Sequence, residues 1–183
     1  MEGPPVSTRP VRIPDRILAG RPQASAPPAR HTAAELHRLT TLVRATGTRR
    51  IAIGHGRHCT SIAAAAAINA AWTGLGGTVG QIVSWPADAA SWLRPARRLV
   101  AGDPDAWVIA DVPAGWAQIA ARLAAHPGWS PARTFGFAAL GNPVLVDLVG
   151  HTLSGMTGAT ADGGCWHITG RTLIIDDGPE PPR

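Results

Sequence analysis

The chain of 183 residues has no lysine and no tyrosine, only two cysteines, two methionines and two phenylalanines, and just 16% charged residues. Each scarcity narrows what the protein does. With no lysine, all 17 basic residues are arginine, and the sequence pI of about 11.1 reflects the high pKa of that side chain more than a dense positive surface, since the formal charge is only +5. The arginines are scattered, with no basic stripe interleaved with aromatics, which argues against a nucleic-acid partner. Cys59 and Cys165 are too few for a disulfide framework, and a reducing compartment would keep them as thiols. The start, "MEGPPVSTRPVRIPDRILAG", lacks the apolar core of an export signal and is broken by prolines, so a cytoplasmic protein is expected. The longest apolar stretch, "TSIAAAAAINAAWTGLGG", is too weakly hydrophobic and too soon followed by glycine to span a bilayer, and no membrane partner is expected.

What the sequence does have is 45% hydrophobic residues, 21 glycines and 17 prolines: enough apolar chain for one domain of ordinary size, punctuated by turns. Residues 1–14 read as a proline-rich lead-in, 15–176 as a single α/β domain and 177–183 as a proline-rich tail, with "DRILAG" as a candidate edge strand. "HTAAELHRLTTLVRATG" spaces Leu36, Leu39 and Val43 as a helix does and ends on glycine. A strand "RRIAIGHG" then leads into the alanine-rich helix, expected to carry a Thr or Ser cap. The unit repeats as "VGQIVSWP" into "ADAASWLRPARRLVAG", "DAWVIADVP" into "AGWAQIAARLAAH", and "RTFGFAAL" into "GNPVLVDLVGHTL". Parallel neighbours need such crossovers, and near-continuous apolar strands are those buried on both faces. The fold class is α/β: a doubly wound, mostly parallel, Rossmann-like sheet with helices on both faces in three layers. The "DGG" near the end predicts a hairpin or an added edge strand.

In such a sheet the ligand lies at the carboxyl ends of the strands. There the sequence places His55–Ser61, Ser84–Pro86, Asp111–Gly115 and Gly141–Pro143. Metal binding would draw on His55, His58 and Cys59 with a fourth ligand from His151, Cys165 or His167, but no second ligand pair closes such a site, and no metal or other cofactor is expected. A Cys59 nucleophile would gain from a helix N-terminus, Arg57 and His58, yet no Asp or Asn is tied to a histidine by spacing. "GHGRHC" lacks the third glycine of a dinucleotide turn, and "IVSWP" lacks its acidic residue, which leaves an anion site countered by Arg57. Asp111 either faces the cleft or caps the next helix. Trp85 and Trp116 either line a pocket or cover the sheet.

The order of "RILAGRPQASAPPARHTAAELHRLTTLVRATGTRRIAIGHG", "GLGGTVGQIVSWPADAASWLRPARRLVAGDPDAWVIADVPAG" and "ARTFGFAAL" resembles the second lobe of the type 1 periplasmic binding proteins, the Leu/Ile/Val-type substrate-binding components of ABC transporters. Its most specific marks are "GGTV", "PADAASWL" and "DPDAWVIA", and it covers about residues 15–160. The resemblance implies a non-enzymatic ligand-binding or regulatory module for an amino-acid-like molecule, with no catalytic residues. Its cleft would be lined by His55, Arg57, His58, Thr60, Ser61, Trp85, Asp111 and Asn142. It also implies a missing first lobe: the chain would pair with a second copy, dock on a partner protein that carries the missing half, or have lost the ligand and kept the scaffold as an interaction module. The rival is a small enzyme or nucleotide-binding protein using Cys59 or an anion site in the 55–61 loop.

Overall fold

A computed structural model describes residues 22–89 and 91–176. The lead-in 1–14, the candidate strand "DRILAG" and the tail 177–183 lie outside the described residues. Among the described residues seven strands form one sheet: β1 Arg50–His55, β2 Thr78–Ser84, β3 Ala106–Ala110, β4 Thr134–Gly136, β5 Thr157–Ala159, β6 Cys165–Thr169 and β7 Thr172–Asp176, in the order β2-β1-β3-β4-β5-β6-β7. The pairs from β2 to β5 are parallel, and β6 and β7 add antiparallel at one edge through tight turns, as the "DGG" signal suggested.

The helices are α1 Ala33–Ala45, α2 Cys59–Gly74, α3 Leu93–Val100, α4 Pro113–Leu123 and α5 Pro143–Val149. Alternate residues of the central strands separate two cores. Ile51, Ile53, Val108 and Ala110 pack with Leu39, Val43, Ala64, Ile68 and Trp72 of α1 and α2, while Ala52, Trp107 and Ile109 pack with the helices α3, α4 and α5 on the other face. All seven tryptophans are buried. This is the three-layer α/β architecture expected from the alternation of apolar runs and helical patterns.

Three local readings are corrected. β4 stops at Gly136, and "AAL" turns into a short 3-10 helix, Ala138–Leu140, instead of extending the strand. The helix after β2 begins only at Leu93, after a loop. α2 starts one residue before Thr60, and its N-cap is His58, whose side chain makes no capping bond. Thr60 and Ser61 therefore lie in the first turn and not at the cap, which leaves both hydroxyls free for another use.

Candidate functional site

The carboxyl ends of β3, β4 and β5 and the N-terminus of α2 surround a cavity of about 260 Å³, closed on one side by residues 28–31 and α1. Its polar lining comes from Arg30, His31, Glu35, Thr60, Ser61 and Asp111, and its apolar lining from alanines and Phe137. Among the described residues, three of the polar groups have no hydrogen-bond partner although their atoms are buried: His31 Nδ1, Thr60 Oγ1 and Ser61 Oγ. Ser61 is only 1% exposed. A buried polar group left unpaired costs about 1–3 kcal/mol, so all three are available to pair with a molecule in the cavity, water or ligand. The N-terminus of α2, uncapped by any side chain, adds positive potential at the same wall.

Two carboxyl groups share the cavity, and the chain treats them differently. Glu35 closes a capping box: its N–H donates to Thr32 Oγ1 (3.0 Å), and its Oε2 accepts from the Thr32 N–H (3.2 Å). Its other oxygen accepts from the Ala138 N–H (2.6 Å), which ties α1 to the loop after β4. Burial raises its pKa against these bonds and the nearby His31. Both oxygens are thus occupied by the fold.

Asp111 follows β3, and Val112 is the N-cap of α4. The open choice between cleft residue and cap is thereby decided: Asp111 lines the cavity. Its Oδ2 accepts from Trp85 Nε1–H at 2.7 Å, and the Val112 N–H also bonds the carboxyl group. Burial nevertheless dominates and pushes the pKa up to about 7. Room for this carboxyl comes from Gly56 and Gly115, where any Cβ would overlap its oxygens. Gly56→Ala is expected to displace the Asp111 side chain and to destabilise the fold by about 2 kcal/mol, the usual size of an overpacking defect. Chemical denaturation of the variant checks this, and a change within error of zero would mean that Asp111 is not fixed at this point.

Of the residues expected at the cleft, Thr60, Ser61 and Asp111 come together. Trp85 is fully buried behind them, in tilted contact with Trp116 (ring centroids 6.4 Å apart), so both rings cover the sheet and Trp85 serves the site through Asp111. His55, Arg57 and His58 do not line the cavity: the His55 Nδ1–H donates to the Gly56 carbonyl (2.7 Å), and Arg57 is exposed. Asn142 is likewise outside it, because its side chain accepts from the Val144 N–H (2.9 Å) as the N-cap of α5. Cys59 is exposed and Cys165 partly so. Among the described residues no three His, Cys, Asp or Glu side chains are grouped to hold a metal, and no helix is long and apolar enough to cross a membrane. Reading the sequence missed Arg30, His31, Glu35 and the loop 137–139; the Thr32-Ala33-Ala34-Glu35 capping box was the one available signal for Glu35.

No family model matches this sequence, and no curated protein resembles it closely enough to count. Solved structures do match its fold. A substrate-binding periplasmic protein from Ralstonia solanacearum superposes with a TM-score of 0.63 at 16% identity, over 75% of this chain and 39% of its own. An extracellular ligand-binding receptor from Rhodopseudomonas palustris gives 0.62 at 12% identity, over 73% and 37%. A branched-chain amino acid ABC transporter periplasmic ligand-binding protein from Burkholderia xenovorans LB400 gives 0.56 at 17% identity, over 69% and 34%. The chain thus spans little more than a third of the length of the structures it matches. Its fold, a mostly parallel seven-stranded sheet between helices, is that of a lobe of the periplasmic-binding-protein type.

Proposed function

We propose that this chain is a non-enzymatic module that binds a small, amino-acid-like molecule at the carboxyl end of its sheet. The observation that carries the reading is the convergence of three buried, unpartnered polar groups, from His31, Thr60 and Ser61, on one cavity beside Asp111. The similarity in fold to extracellular ligand-binding receptors supports it. A cavity of about 260 Å³ suits a molecule of amino-acid size. The cavity opens at the end of the one lobe described, so we place the rest of the binding surface on a facing lobe.

A thermal-shift screen with amino acids, nucleotides and zinc, read beside the solution mass from light scattering, tests this proposal. Stabilisation by amino acids is the expected result, and stabilisation by nucleotides or zinc alone would overturn it. Ser61→Ala gives a sharper test. Deleting an unpaired buried hydroxyl and placing alanine in a helix are each favourable, so the empty protein is expected to gain about 1–2 kcal/mol while amino-acid binding weakens about tenfold. A loss of stability in denaturant would show that the Ser61 hydroxyl serves the fold instead of a ligand.

A further inference from the structure

Asp111 is a carboxyl group at the wall of a cavity, 3% exposed, with neutral partners only: the Trp85 indole, the Val112 N–H and the two glycines that make room for it. Among the described residues no cationic side chain is paired with it. The titratable groups on the segments around the cavity are Arg30 and His31 in the lead-in to α1, Glu35, His37, Arg38 and Arg44 in α1, His55, Arg57, His58 and Cys59 at the β1–α2 connection, Asp88 in the loop after β2, Arg122 in α4 and Asp162 in the loop after β5; the first turn of α4 and the loop after β4 contribute none. Glu35 already has both oxygens on backbone N–H groups, so it has no comparable vacancy for a ligand.

A buried carboxyl group without a countercharge takes up a proton, which removes the cost of burying the anion. Resting on the binding role proposed above, we infer that this cavity exchanges a proton for its ligand: a protonated amine of the ligand displaces the proton from Asp111, so binding to the protonated form releases one proton and affinity strengthens as the pH rises. The proton leaves to solvent, the carboxylate forms, and the ammonium becomes the countercharge that the protein itself does not supply. Ser61, Thr60 and His31 remain to pair the ligand's other polar atoms. Linkage sets the scale. With half-protonation of Asp111 near pH 7, affinity for an amine is expected to fall about thirtyfold between pH 8 and pH 5.5, where the charged fraction of the carboxyl drops from about nine-tenths to a few per cent.

Three probes of matched size separate the possibilities: L-valine, isobutylamine and isovalerate, titrated calorimetrically into the full chain at pH 8 and pH 5.5, in pairs of buffers that differ in ionisation enthalpy. Valine and isobutylamine are expected to bind at pH 8 with release of only about a tenth of a proton, and at pH 5.5 about thirtyfold more weakly with release of nearly one proton. In Asp111→Asn both the release and the steep pH dependence should vanish, while carbon-13 NMR of the wild-type carboxyl group reports its titration directly should that variant fold poorly. Valine and isovalerate binding equally, with isobutylamine silent and no proton released, would overturn the exchange and leave the binding role standing. If none of the three binds at either pH, both fall together.

Discussion

Gly158→Ala is expected to leave the folded state marginal, at a cost of about 3 kcal/mol or more. Gly158 sits in the middle of β5, paired to Gly136 of β4 on one side and to Trp166 of β6 on the other. A Cβ at this position would overlap the Gly136 carbonyl oxygen and the Trp166 indole together. A clash with the flexible end of a side chain can relax, but the carbonyl belongs to the neighbouring strand. The indole has no freedom either: it is fully buried, and its Nε1–H donates to the Ala159 carbonyl at 3.1 Å. Relief therefore requires β5 to part from β4, and that separation would carry away β6, β7 and the Ala161 edge of the cavity with it. Overpacking that cannot relax costs at the upper end of the usual 1–3 kcal/mol or beyond it, and a domain stable by about 5–15 kcal/mol would be left marginal. Trp166→Ala approaches the same junction from the other side, with an expected loss of about 3–5 kcal/mol. Circular dichroism and urea midpoints of the two variants check the argument. A Gly158→Ala protein with an unchanged midpoint would mean that the β4–β5 pair is not formed as described.

That junction also marks a limit of what could be read from the residues alone. The alternation of apolar strands and patterned helices was legible because parallel strands buried on both faces carry runs such as "AWVIA", bounded by Asp105 and Asp111. The end of β4 was not legible, because "TFGFAAL" is apolar throughout and residue type alone does not mark where an extended chain turns into a 3-10 helix. What sets the boundary is tertiary: the Phe137 N–H bonds the Ile109 carbonyl, and the next residue, Ala138, gives its N–H to Glu35, 103 positions away.

The site was legible where chemistry and topology coincided. Asp111 is a carboxylate at a strand end, and Thr60 and Ser61 follow another strand, so the rule for ligands in open α/β sheets reaches all three. Histidine and arginine in "HGRHC" satisfied the same rule by position, but a loop of that length places some side chains in the cavity and others in solvent, and the sequence does not say which. The rest of the lining comes from Ala64, Ala110, Ala138 and Ala161, residues too common to signal a site, and from a lead-in segment that only the folded chain brings back over the sheet.

Asp111→Asn is expected to abolish the pH dependence of stability contributed by this residue. The ordinary Asp pKa of 3.8 applies to the unfolded chain, and burial raises the folded value to about 7. Between these two values the folded protein keeps the proton that the unfolded chain has released, so unfolding is favoured progressively as the pH rises. The group costs nothing below pH 4, and its full cost is reached above pH 7. At 1.36 kcal/mol per unit, the interval of about three units corresponds to about 4 kcal/mol. Burial also raises Glu35, which contributes in the same direction, whereas the exposed Asp105, lowered by the Arg50 and Arg49 N–H groups, works the other way and favours folding above its ordinary range. Neither is altered by the substitution, so the difference between wild type and variant isolates Asp111. An asparagine carbonyl can still accept from Trp85 Nε1–H, and the neutral amide has no charge to bury. The variant is therefore expected to match the wild type near pH 4 and to exceed it by several kcal/mol at pH 8. Urea unfolding at the two pH values checks this, and parallel curves for the two proteins would mean that Asp111 ionises in the folded state as readily as in the unfolded one. The sign has a functional edge: the empty protein is weakest at the pH where the carboxylate is charged, which is also where an ammonium-bearing ligand would recover the most stability by occupying the cavity.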